Sequence, residues 1–240
     1  MHVVLGQIGS GTKWVATTLA WAIQGSGEFR DEPLSLGPYR RYLEGVDSEE
    51  TWNTVFAAHA RRMTGGNWCV LKDHFWIPGY MRELGCSVYV VRRTAANVHY
   101  LLQWGRVGET GYGWYFRAAL RRNPDATLAL WPSGVPTDDL VATLAVSHQI
   151  RVAHDLRVAR ELGIPVWRGE ELMGDYVSLW PMLLETLGIE PHPNFEQYLQ
   201  RNASPTYFPL EKDRGFLRKV IEVEKRAADV DWSTILGAPV

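Results

Sequence analysis

The chain has 240 residues, 46% hydrophobic and 22% charged, which is long enough to bury a sizeable core and too apolar for a disordered segment. Lys and Arg total 25 against 27 Asp and Glu, a net charge of −2; this argues against a broad polyanion-binding face, and so against a nucleic-acid partner, while leaving room for a small, focused anion site. No apolar run approaches the roughly 20 residues that span a bilayer, and the opening MHVVLGQIGSGTKW lacks the basic start and cleavage site of a secretory signal. Two cysteines, Cys69 and Cys86, make neither a disulfide framework nor a metal site and read as small buried hydrophobes. The expectation is a reduced, cytoplasmic protein of one domain, residues 1–240, with no membrane contact.

The elements follow in chain order. Val3-Val4-Leu5 is a short β-branched run, Gly6 to Gly11 is a turn holding three glycines, and Thr12 to Gln24 is a helix stopped by Gly25-Ser26-Gly27. Residues 28–47 read as loop. Ser48 to Met63 is a helix with Ser48 as N-cap and Trp52, Val55, Phe56 and His59 on one face. Trp68 to Leu71 and Ser87 to Val91 are buried strands, and Thr94 to Trp104 is helical. Thr127 to Trp131 reads as a short strand. Asp138 or Asp139 caps a long helix reaching Leu162, Ile164 to Trp167 is a further strand, and Leu179 to Leu187 a helix ended by Gly188. Strands that are apolar throughout and alternate with helices indicate an α/β domain with a central parallel sheet flanked by helices, its first glycine loop at the carboxyl edge where ligands bind.

That loop, Gly6 to Lys13, follows a strand and opens a helix. Backbone N–H groups and the positive helix end make an anion site there, with Ser10, Thr12 and Lys13 able to add hydroxyls and a charge. The spacing nearly fits the nucleotide-binding G-x-x-x-x-G-K-[ST] pattern, with Thr and Lys exchanged.

The segment Gly9-Ser10-Gly11-Thr12-Lys13-Trp14 resembles the 5′-phosphosulfate loop of sulfotransferases that use 3′-phosphoadenosine 5′-phosphosulfate (PAPS). Ser10, Gly11, Thr12 and Trp14 match that loop; Gly9 stands at its usual Lys position, and the charge comes either from Lys13 on the helix side or from another Lys. Three further segments resemble the family in the same order. Lys72-Asp73-His74 is similar to its Lys-Thr-His, whose His is the catalytic base. The strand ending at Arg92 is similar to the one whose Arg, with a Ser eight residues on, holds the 3′-phosphate; Tyr100 stands at the Ser position. Arg218-Lys219-Val220 is similar to the Arg-Lys-Gly that closes over the same phosphate. A shorter likeness covers Trp167 to Leu172, with Gly169 at the position of a Tyr. The resemblance runs from Val3 to about Lys219 and implies a P-loop-like sulfotransferase fold.

It also implies a transfer of the sulfuryl group from PAPS to a hydroxyl or amine of a small-molecule acceptor, leaving 3′-phosphoadenosine 5′-phosphate (PAP), without a metal. His74 is then the general base. Lys72 and Lys13 stabilise the group in transfer, and Arg92, Tyr100, Arg218 and Lys219 hold the 3′-phosphate. Two other readings share the loop. One is an ATP-dependent P-loop kinase with Asp73 as its Mg²⁺-side carboxylate, and the other a non-catalytic nucleotide-binding domain. The 11 Trp, 10 Tyr and 7 Phe cluster partly in residues 103–116, where glycines alternate with Trp104, Tyr112, Trp114, Tyr115 and Phe116. That stretch reads either as an aromatic lid over an acceptor pocket or as rings capping the core.

Overall fold

The computed structural model describes residues 1–31, 40–42, 44–72, 85–104, 113–202 and 214–236. Its elements are β1 (His2–Gly6), α1 (Thr12–Gln24), α2 (Glu49–Thr64), β2 (Val70–Lys72), β3 (Val88–Val91), α3 (Thr94–Trp104), α4 (Gly113–Arg122), α5 (Pro124–Leu130), α6 (Leu140–Leu162), β4 (Val166–Arg168), α7 (Gly169–Gly174), α8 (Tyr176–Thr186), α9 (Phe195–Asn202), α10 (Arg214–Asp229) and α11 (Trp232–Ile235). The chain forms two compact units, each assembled from three stretches: Met1–Ser35, Asn53–Arg92 and Ala159–Tyr207 in the first, Leu36–Trp52, Arg93–Val158 and Phe208–Val240 in the second.

The first unit holds the sheet, four parallel strands in the order β2-β1-β3-β4. Register is Val4 beside Lys72 on one side of β1 and Leu5 beside Tyr89 on the other; Tyr89 in turn faces Val166. The expected α/β class with a parallel sheet and flanking helices is present. β1 to β3 are buried nearly throughout, as continuous apolar runs require, whereas β4 is an edge strand with Val166 39% exposed. At the other edge Arg30 pairs with Leu71, through Arg30 N–H to the Val70 carbonyl and Lys72 N–H to the Arg30 carbonyl, both 2.9 Å.

α1 spans Thr12–Gln24 as its sequence predicts, and it ends where Gly25 takes a left-handed conformation (φ 70°) and returns its N–H to Trp21. Its Val15, Ala16, Leu19 and Ala20 pack with Val4, Val70, Val88 and Val90 of the sheet and with Trp180, Leu183 and Leu184 of α8. At about 25 cal/mol per Å² of apolar area, this layer is the main source of stability in the unit.

The second unit is helical. Ser48 caps α2, whose first turn is in this unit and whose remainder belongs to the first, accepting from the Thr51 N–H at 3.2 Å, and Asp139 caps α6, accepting from the Ala142 N–H at 3.0 Å. Arg151 of α6 is fully buried. Its Nε donates to the Ser147 carbonyl and its Nη1 to the Tyr115 hydroxyl, both at 3.1 Å, and the guanidinium lies 5.0 Å from the Tyr115 ring centre and 5.1 Å from that of Phe116.

Residues 127–131, expected as a strand, are instead the end of α5 and its cap. Asn123-Pro124-Asp125 starts a helix, because proline's fixed φ suits the first helical position and Asp125 suits the dipole; the Thr127 hydroxyl is absorbed by the Asn123 and Leu120 carbonyls. Of the two cysteines, Cys86 is buried and Cys69 half-buried, and burial pushes the Cys69 thiol up. Among the described residues no helix is long and apolar enough to cross a membrane.

Asp139 also pairs with Lys219 of α10 at 2.6 Å. Burial pushes its carboxyl up, but hydrogen bonds from Lys219 and the Ala142 N–H, with the Lys219 charge, outweigh this and hold it below the ordinary carboxylate value of 3.8. A carboxyl depressed in the folded state adds stability above its unfolded value and loses it as pH falls through the folded one. Asp139→Ala should therefore cost about 1–2 kcal/mol in urea titrations at pH 7, mostly the cap. Asp139→Asn, which keeps an acceptor, should cost less and should flatten the loss of stability below about pH 4.

Candidate functional site

Sheet topology locates the site. From β1 the chain turns to one side to form β2, and from β3 to the other to form β4, so the carboxyl ends of β1 and β3 border the crevice where such sheets bind ligands. The loop after β1 and the residue after β3 meet there. Arg92, 6% exposed, donates from Nη1 to the Gly9 carbonyl at 2.9 Å.

The loop is held by close backbone approaches. A Cβ on Gly6 would lie 2.4 Å from the Val90 carbonyl oxygen and 2.6 Å from Ser10 Oγ. Gly9 and Gly11 take φ of 85° and 93°, a region side chains avoid. The Ser10 N–H returns to the Gln7 carbonyl at 3.0 Å, and Gln7, itself buried, donates from Nε2 to the Tyr89 hydroxyl at 3.0 Å. α1 then opens with Gly11 as N-cap. The Val15 N–H reaches the Gly11 carbonyl at 3.1 Å, and the N–H groups of Thr12, Lys13 and Trp14 precede that bond with no side chain at position 11 to cap them. Ser10 is fully buried, and its hydroxyl has no hydrogen-bond partner among the described residues. Donor groups at the positive end of a helix, with a buried hydroxyl beside them, suit an anion of phosphate shape.

The other expected residues divide between the two units. In the first, Thr12 is buried beside Ser10, Lys13 is exposed on the first turn of α1, and Trp14 packs edge-on against Trp180 at 5.6 Å. Lys72, at the carboxyl end of β2 and 4% exposed, pairs with both oxygens of Asp31 at 3.0 and 3.2 Å. Tyr100 lies half-buried on α3 of the second unit. Arg218 and Lys219 lie on α10 of that unit, Arg218 exposed and Lys219 paired with Asp139. His74 and Asp73 lie outside the described residues, as do residues 105–112 of the aromatic segment. Trp114, Tyr115 and Phe116 of that segment belong to α4, where Tyr115 and Phe116 are buried around Arg151.

Three residues at this site carried no signal in the motifs. Asp31 is an acid in a stretch that reads as loop, placed by the Arg30–Leu71 pairing. Gln7 is a loop polar residue whose partner Tyr89 is remote in sequence. Gly169 follows β4 and opens α7; a Cβ there would lie 2.3 Å from the Ser10 carbonyl oxygen. A glycine at a strand-to-helix junction is a hint of close approach, but it names no neighbour. No protein-family model matches the chain, and no curated protein matches it.

Gly169→Ala should force the loop to shift. The expected cost is about 1–3 kcal/mol in chemical denaturation, with anion affinity at the loop falling as well. Gly174→Ala, on the same helix with open space around it, serves as the control and should leave both unchanged.

Proposed function

We propose that the chain is a PAPS-dependent sulfotransferase of the P-loop-like kind, transferring the sulfuryl group to a hydroxyl or amine of a small-molecule acceptor. The observation that carries this reading is the glycine loop in the β1–β3 crevice. It offers a buried Ser10 hydroxyl and the open N–H groups of α1, and Arg92 grips it from behind. The order of segments along the chain supports sulfuryl rather than phosphoryl chemistry.

Each residue then has a role that its chemistry suits. The N–H groups of Thr12, Lys13 and Trp14, with the Ser10 and Thr12 hydroxyls, hold the 5′-phosphosulfate, and Lys13 approaches from its exposed side. When bound, the donor supplies the sulfuryl group, whose bond to the phosphate oxygen breaks as the acceptor oxygen or nitrogen bonds to sulfur. Lys72, kept in place by Asp31, offsets the negative charge that spreads during transfer. His74, two residues past the carboxyl end of β2, takes the acceptor's proton, which an imidazole of ordinary pKa about 6.5 can do at neutral pH. Arg92 donates to the Gly9 carbonyl, and its planar guanidinium fork suits the 3′-phosphate. Tyr100, Arg218 and Lys219 belong to the second unit; the donor site proposed here is drawn from the first unit alone.

PAP without added metal should raise the unfolding temperature, because a ligand at a hundred times its Kd adds about 2.7 kcal/mol to the folded state. Stabilisation by ATP only with Mg²⁺ would favour the kinase instead. Ser10→Ala should weaken PAP binding by roughly tenfold to a hundredfold, the scale of one hydrogen bond to a charged group. His74→Ala should leave PAP binding intact and abolish sulfuryl transfer from labelled PAPS across a panel of phenols, aliphatic alcohols and amines; turnover retained in that variant would remove His74 as the base.

A further inference from the structure

The far end of α1 carries a second feature. α1 is 13 residues long, so its C-terminus lies about 20 Å from the glycine loop. Near that end, α8, α9 and the connection through Pro191, His192 and Pro193 enclose an open groove of about 670 Å³, within the range of small-molecule pockets. Its apolar floor and wall are Leu184, Ile189, Phe195, Leu199, Pro181 and Val177, the last 65% exposed.

The connection is fixed to α1. The His192 N–H donates to the Ala22 carbonyl at 2.7 Å, and a Cβ on Gly25 would lie 2.7 Å from the His192 ring. The Asn194 N–H donates to His192 Nδ1 at 3.2 Å. The charged groups lining the groove are two exposed carboxylates, Glu185 and Glu196; no Lys or Arg is among its described lining residues. Glu196 lies in the first turn of α9 and Glu185 in the last turn of α8, whose carbonyl end adds to the negative potential.

An apolar floor beneath carboxylates complements a cation carried on an apolar body. We propose that this groove binds a small cationic amphiphile, an amine with a hydrocarbon or aromatic body. The tail displaces water from Leu184, Ile189, Phe195 and Leu199, and the ammonium group sits between Glu185 and Glu196. An anion with the same tail meets the same floor but is repelled by both carboxylates. The groove does not depend on the reading of the glycine loop.

Calorimetric titration of the full chain with n-octylamine, n-octanol and octanoate tests this, with chemical-shift mapping to locate the bound tail. Octylamine should bind about tenfold more tightly than octanoate at low ionic strength, the scale of two partly solvated charge contacts. Its shifts should fall on residues 177–200, and salt should narrow the gap. In the double variant Glu185→Gln, Glu196→Gln, both surface positions, octylamine should fall to the level of octanol, and Val177→Lys should weaken octylamine more than octanoate. Equal affinity for the amine and the carboxylate, shifts elsewhere in the chain, no binding of octylamine at millimolar concentration, or a preference surviving in the double variant would each overturn the proposal.

Discussion

The candidate site depends on backbone packed against backbone where the carboxyl ends of β1, β3 and β4 converge. Gly6 lies against the Val90 carbonyl and Gly169 against the Ser10 carbonyl, at approaches of 2.4 and 2.3 Å for the Cβ atoms they lack. Arg92 adds a clamp to the Gly9 carbonyl. Held on three sides, the loop keeps the N–H groups at the start of α1 and the buried Ser10 hydroxyl in fixed positions. Donors fixed in advance pay little reorganisation when an anion arrives, which is the source of their strength.

The cations of the site are not spare charges. Lys72 is anchored by Asp31, and Arg92 holds a carbonyl. Both positive groups are thus oriented in advance by neutral or anionic partners. In the second unit the same economy serves stability. Arg151 is accommodated in the interior by the Tyr115 and Phe116 rings and by two hydrogen bonds, and Lys219 ties α10 to the start of α6 through Asp139. This accounts for part of the aromatic surplus. Tyr115 and Phe116 fill a core around a cation, Trp14 and Trp180 pack α1 against α8, and Trp21 stacks on Tyr198 at 4.8 Å.

Much of the framework was legible because its signals are local. β1, α1 and α3 follow from short apolar runs and glycine stops, and the capping side chains of Ser48 and Asp139 mark the starts of α2 and α6 within a residue. Thr127–Trp131 misled because five residues carry too little periodicity to separate strand from helix, and the deciding Asn-Pro-Asp lies just upstream. α4 begins inside the aromatic, glycine-rich stretch that resembles a loop. α10 carries Arg218 and Lys219 on a helix, which a three-residue motif does not reveal.

The sequence by itself determined the α/β class, β1 with the helix that follows it, and the residue types available at residues 6–14, because these depend on side-chain pattern and glycine placement over a few residues. Tertiary structure decided which of the separated residues meet. It placed Arg92 on Gly9, Gly169 against Ser10, Asp31 on Lys72, and Glu185 with Glu196 around an apolar groove. None of these neighbours lies within reach along the chain. The first three are set by parallel register and by the direction in which the chain leaves each strand, properties of the packed sheet rather than of any local segment, and the last by how α8 and α9 border one groove.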